Sequence, residues 1–239
     1  MQLIRKLILL ICFIAIGQSI AGQVGARVKY NFNNFSDWQG FTNDNGQEID
    51  FFPTNIEVGI DYWFRLKNYR LEFTPEISYG LSSSTDVGVR SSDFSYFSFL
   101  FNTQIYAFDF AGDCDCPTFS KQGPTLNKGL FFNLAPGLMY SLNDVTEENL
   151  ELYENTSISF RLGLGLGYDI GVNDLITITP MVSYFVNTSL GHQPVSRLLT
   201  GNISDPEIQD SGLNQLQFQI RVGFRPDYVK SYGGGRRRR

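Results

Sequence analysis

Period two is the feature that most constrains this chain. Ile158, Phe160, Leu162, Leu164, Leu166 and Tyr168 alternate with Ser159, Arg161, Gly163, Gly165, Gly167 and Asp169. Leu216, Phe218, Ile220, Val222 and Phe224 alternate with Gln217, Gln219, Arg221 and Gly223, and Val58, Ile60, Tyr62 and Phe64 share one face in the same way. Successive side chains of a strand point to opposite faces, so each segment reads as a strand with one apolar and one polar side. Eight such segments follow one another, at about 23–32, 54–64, 69–80, 94–110, 129–142, 156–170, 174–188 and 213–224. Most reach about ten residues, whereas strands of soluble proteins average about 5–6 and a tilted membrane-crossing strand needs about 9–11. After the first 21 residues no apolar run is long enough for a helix to cross a bilayer.

Two sheets could carry this pattern. A soluble sandwich or lipocalin-like barrel would turn the apolar face inward. A membrane barrel would turn it outward, towards lipid. The polar face decides between them. It holds Arg27, Lys29, Glu57, Asp61, Arg70, Glu72, Glu76, Arg161, Asp169 and Arg221, far more charge than the exterior of a lipid-embedded wall tolerates, and charge of that density inside must be paired. The apolar face carries aromatics near strand ends, among them Tyr30, Phe32, Tyr62, Phe64, Tyr69, Tyr79, Tyr140, Tyr168, Tyr184 and Phe224. Such rings suit the two interfacial girdles of a membrane barrel. The expected fold is therefore all-β, an eight-stranded antiparallel up-and-down transmembrane barrel following a signal peptide.

The signal peptide is residues 1–21. Arg5 and Lys6 precede an apolar run from Leu7 to Ile16, and Ser19 and Ala21 occupy the small-residue positions of a cleavage site. The barrel then spans 22–224, and 225–239 form a basic tail. Composition limits the partners. The chain has 19 Lys+Arg against 24 Asp+Glu and a net charge of −5, which disfavours nucleic acid. One His and three Cys disfavour a His/Cys zinc enzyme.

The connections set an orientation. In bacterial barrels the chain starts in the periplasm, with short turns there and long loops outside. The odd connections, 33–53, 81–93, 143–155 and 189–212, are the long ones. The even connections 65–68 and 171–173 are short, while 111–128 is a long exception. Asp37, Asp44, Glu48 and Asp50 in the first loop, and Asp144, Glu147, Glu148, Glu151 and Glu154 in the third, meet no Lys or Arg there. Arg65, Lys67, Arg225, Lys230 and Arg236 to Arg239 make the other side basic. The expected location is the bacterial outer membrane, with both termini periplasmic and acidic loops extracellular.

Signal peptide, alternating strands, aromatic strand ends and closure on Phe224 together resemble the small OmpA/OmpX-type barrels. The Gly- and Tyr-rich strands resemble the outer-membrane β-barrel domain proteins of Bacteroidota, which include PorT-like members. The resemblance covers nearly the whole chain after residue 21. It implies an envelope role that is structural, adhesive or part of a secretion system. The peptidoglycan-binding domain of full OmpA proteins is not matched.

Eight strands enclose a lumen that side chains can fill. Arg27, Lys29, Glu57, Asp61, Glu72, Glu76, Arg161 and Arg221 are expected to form an ionic network there, Arg27 and Lys29 beside Glu57 and Asp61, with Arg221 closing from the other side. A gated narrow pore is the functional alternative to that filled interior. Phe131, Met139 and Phe185 are expected to fill the stripe vacated by Gly163, Gly165 and Gly167. Cys114 and Cys116 form a candidate disulfide, with a partner thiol or soft-metal contact as alternatives; two thiols do not complete a zinc site. The acidic loops lack the spacing of a calcium loop. His192, near Ser189 and Ser196, offers a rim-enzyme alternative that lacks an orienting group. No metal or cofactor is expected, and the protein is read as non-catalytic. Its expected partners are outer-membrane lipid and a periplasmic or outer-membrane protein. The latter would be docked through 111–128 and the tail Arg236, Arg237, Arg238 and Arg239, whose three preceding glycines make it flexible. A transport or secretion-assembly subunit is the nearest alternative.

Overall fold

The computed structural model describes residues 23–38, 48–66, 69–83, 85–87, 90–109, 129–147, 150–172, 175–190, 199 and 211–224. Ten strands are present among them: β1 (Gln23–Phe35), β2 (Thr54–Arg65), β3 (Leu71–Ser82), β4 (Thr85–Val87), β5 (Arg90–Ile105), β6 (Leu130–Glu147), β7 (Leu150–Tyr168), β8 (Ile170–Gly171), β9 (Ile176–Leu190) and β10 (Ser211–Phe224). The eight long ones pair with their neighbours in chain order, all antiparallel, and β10 pairs with both β9 and β1. The sheet is thus a closed eight-stranded barrel. Closure removes the edges that an open sheet would leave unpaired. No described helix is long and apolar enough to cross a membrane, which says nothing against crossing by strands.

The two faces are distributed as the alternation requires. Along β1, Val24, Val28, Tyr30 and Phe32 are exposed, while Arg27, Lys29 and Asn31 are at most 1% exposed. The same inversion holds around the barrel: Ile158, Leu164 and Ile220 lie outside, and Ser159, Arg161 and Arg221 lie inside. A soluble barrel has the reverse arrangement, so the lipocalin-like alternative is excluded.

The strands run further than the sequence pattern indicates. The expected loop 143–155 is instead a hairpin extension, paired down to Glu147↔Leu150. Most of 81–93 is also strand, with β4 pairing to Arg90, Ser91 and Ser92 of β5. The reason is a change of surroundings along the strand. On β7 the outward face is apolar from Tyr168 to Ile158 and turns polar at Thr156 and Glu154. On β6 it changes beyond Leu142, where Asp144 follows, and on β5 beyond Phe97, where Ser95 and Asp93 follow. Beyond that line the inside becomes apolar, as with Val145, Phe94, Leu190 and Leu213. An outward apolar face identifies strands only where lipid touches them. At the opposite end β5 stops short of the expected residue 110. Tyr106 turns inward, its N–H bonded to the Arg70 carbonyl, and a 3-10 turn covers Ala107–Asp109.

Candidate functional site: a charge-balanced interior

Among the described residues, ten charged side chains are buried within the barrel. Arg27, Lys29, Arg70, Arg161 and Arg221 are the cations; Glu57, Asp61, Glu72, Glu76 and Asp169 are the anions. Five face five, so the described interior is formally neutral. These are the same ten residues that the polar faces of the strands identified.

Glu57 on β2 is the hub. Its two oxygens accept hydrogen bonds from Lys29 Nζ at 2.7 Å, Ser78 Oγ at 2.5 Å and Tyr96 Oη at 2.8 Å. Asn31, Ser98 and Gln217 add longer bonds at 3.2–3.4 Å, and the Arg161 guanidinium lies 3.4 Å away. These donors come from β1, β3, β5, β7 and β10, so one carboxylate ties six strands together. Lys29 also pairs with Glu76, which in turn lies 3.3 Å from Arg27.

Asp61 forms the second centre. Arg27 Nε donates to it at 2.8 Å, and Arg221 grips it through Nε and Nη2 at 2.6–3.0 Å. The ladder explains why two arginines share it. Arg221 is directly opposite Arg27 across the closing β10–β1 pair, and Gly25 opposite Asp61 leaves room for the Arg221 guanidinium and the Asp61 carboxylate. The expected pairs Arg27–Asp61 and Lys29–Glu57 are therefore present. Glu72 belongs elsewhere. It accepts from Trp63 Nε1 and, at 3.2 Å, from Tyr106, which also bonds Asp169; Arg70 stacks 4.0 Å over the Tyr106 ring.

The glycine stripe is filled as a close approach demands. A Cβ at Gly163 would lie 2.2 Å from the Phe185 ring, and one at Gly167 would lie 2.2 Å from the Phe131 ring. Met139 does not take part, contrary to expectation. It stands opposite Ser159, and the atom over Gly165 is Ser183 Oγ.

An apolar core closes the barrel end opposite Gln23 and Phe224. Phe35, Trp38, Phe51, Phe52, Phe94, Val145, Leu190 and Leu213 are buried together there. Phe35 and Trp38 stack at 4.7 Å. Phe52 has φ of 49°, unusual for a bulky residue. Its N–H bonded to Thr85 Oγ1 at 3.0 Å and its carbonyl bonded to Asn33 Nδ2 at 2.7 Å hold it in place. By its charge 33–53 reads as an acidic loop, which hides this core. A signal was available: Trp38 and Phe51-Phe52 sit among polar residues, and Phe35 and Leu213 continue the inward parity of Arg27 and Arg221. Tyr96 and Tyr106 were missed for the opposite reason, since an inward Tyr looks like any other aromatic.

Cys114, Cys116, His192, the 111–128 connection, the tail Arg236 to Arg239 and the signal peptide all lie outside the described residues. Among the described residues no three His, Cys, Asp or Glu side chains gather as metal ligands.

No protein-family model matches the chain, and no curated protein matches it. It is similar in fold to small outer-membrane barrels of solved structure. Neisserial surface protein A is 14% identical with a TM-score of 0.44, over 85% of this chain and 97% of that one. Ail, the attachment invasion locus protein of Yersinia pestis, is 11% identical with a TM-score of 0.45, over 86% and 100%. The N-terminal barrel domain of Pseudomonas aeruginosa OprF is 11% identical with a TM-score of 0.36, over 85% and 99%.

Proposed function

We propose that this protein is a sealed, non-catalytic barrel of the bacterial outer membrane that acts at its two ends and not through its lumen. The observation that carries this reading is the combination of a lipid-compatible exterior with a filled, neutral interior beneath an aromatic cap. A conducting path needs continuous water and a surplus of one charge to select an ion. Here five cations meet five anions, and hydrophobic rings block the outer mouth. The role is then structural or interactive. The acidic outer loops face the medium. On the periplasmic side, 111–128 with Cys114 and Cys116, and the tail ending in Arg236 to Arg239, dock a protein partner. The basic character of that side supports this reading. A subunit of an outer-membrane secretion or transport assembly is the alternative to this role.

The test is affinity purification in mild detergent of the full chain and of a chain lacking residues 225–239. A specific envelope protein recovered with the first and lost with the second is the expected result. Recovery of nothing specific with either removes the docking role. Steady single-channel conductance in planar bilayers removes the sealed-barrel reading.

A further inference from the structure

The geometry points to the β5–β6 seam, at the row of Phe101 and Pro136, as the place where this barrel wall opens sideways to the bilayer. The inference rests on the reading that the barrel spans a membrane.

Among the described residues, the barrel ladder is interrupted at three places, one of them between Gly167↔Met181 and Ile170↔Ile178, where Pro180 falls opposite Tyr168. Pairing of β2 with β3 stops between Asp61↔Glu76 and Phe64↔Phe73. Pairing of β5 with β6 stops between Leu100↔Gly137 and Thr103↔Leu134. A proline accounts for each break. Pro75 falls opposite Tyr62, and Pro136 falls opposite Phe101. Proline has no N–H, so the carbonyls of Tyr62 and Phe101 receive no ladder bond from these partners. The breaks at Pro75 and Pro136 belong to one row, because Pro75 also pairs with Phe101 in the unbroken β3–β5 ladder. A closed barrel in lipid depends on complete pairing, and proline is otherwise confined to strand edges and bulges.

What lies behind each break distinguishes them. Behind β2–β3 the interior is tied by polar contacts: Trp63 donates to Glu72, and Arg27 Nη2 donates to Thr74 Oγ1 at 2.7 Å. Outside it, Phe64 and Phe73 stack at 5.2 Å. Parting those strands would bring ionised groups to hydrocarbon, as would parting the break at Pro180, behind which Thr179 donates to the Asp169 carboxylate. Behind β5–β6 lies a buried apolar cluster of Leu100, Ala135 and Phe185. Ala135 and its partner Gly163 are small, and the Phe185 ring occupies the room they leave. Asn102 and Asn133 join the two strands from within by a neutral bond of 3.1 Å. Parting β5 from β6 meets this apolar layer first, with Arg161 behind it at 4.2 Å from the Phe185 ring and Asn102 bonded to Glu76 at 3.0 Å, and Phe185 is the filler that must move. The chemical class that meets the opening is the acyl chain of a membrane lipid.

The experiment places a thiol behind the seam. Ala135→Cys is made in a chain whose native cysteines are serine, and reconstitution in phosphatidylcholine vesicles is checked by flotation. Failure to float would count against the membrane reading and not against the seam. An N-alkyl maleimide dissolved in the bilayer is expected to label the Ala135→Cys thiol roughly tenfold faster than a Ser98→Cys thiol behind the unbroken β3–β5 ladder. Pro136→Val, which restores the N–H, is expected to abolish that difference, while Pro75→Val leaves it unchanged. Leu100→Cys repeats the measurement should Ala135→Cys fail to fold. Equal labelling of positions 135 and 98, indifference to Pro136→Val, or faster labelling by a charged water-soluble thiol reagent overturns the proposal.

Discussion

Replacing Glu57 by Gln removes one charge from the interior while keeping its shape. The loss can be worked from the contacts. Lys29 retains Glu76, but Arg161 loses the carboxylate that it approaches at 3.4 Å and keeps the neutral Ser98 hydroxyl at 3.2 Å, the Phe185 ring at 4.2 Å and the Tyr96 ring at 5.8 Å. The new amide also turns one acceptor into a donor among Lys29, Ser78, Tyr96 and Asn31, all of which donate to it. Removing one partner of a buried ion pair costs about 3–5 kcal/mol, against a typical total stability of about 5–15. With a urea slope of about 2 kcal/mol per molar, the unfolding midpoint should fall by roughly 1.5–2.5 M. The assay is urea unfolding from phospholipid vesicles, followed by tryptophan emission and by gel mobility of the unheated protein. The double variant Glu57→Gln/Arg161→Met returns the interior to neutrality and should recover more than half of the loss. A midpoint shift for Glu57→Gln alone below about 0.5 M would refute the reasoning, since a hub carboxylate cannot be that dispensable. Strictly additive losses in the double variant would refute it equally.

Three further outcomes are expected. Leu162→Arg, on the outward face midway along the apolar run of β7, should destabilise the barrel by about 2–4 kcal/mol, whereas Thr156→Arg beyond that run should cost no more than about 1; equal effects in vesicle unfolding would misplace the lipid boundary. Gly167→Ala puts a Cβ 2.2 Å from the Phe131 ring, and should cost about 1–3 kcal/mol by overpacking, read in the same assay and relieved by Phe131→Leu. Trp38→Ala empties part of the cap where Trp38 is 3% exposed, and should lower stability by about 3–5 kcal/mol without producing conductance in planar bilayers, because the ionic layers below remain.

The sequence by itself determined the faces of this protein. Alternation at Ile158 to Asp169, or at Leu216 to Phe224, is a local property of a strand, so it could be read without knowing any neighbour. Parity likewise identified all ten buried charges, because a charge on the face opposite the lipid-facing residues has nowhere else to go. The tertiary structure decided the partners. Asp61 binding both Arg27 and Arg221 depends on the barrel closing with Arg27 opposite Arg221, a register between the first and last strands that no local pattern contains. Glu57 becomes a hub only when strands distant in sequence converge on the axis. The outer ends were beyond local reading for a related reason. Past Leu142 and Ile158 the outward face turns from apolar to polar, and the meaning of an apolar residue changes with it. Strands there read as loops, and Trp38, Phe51 and Phe52 read as loop residues although they are core. Side-chain alternation records which face a residue occupies, while the surrounding medium and the strand register, both set only on assembly, fix what that face means.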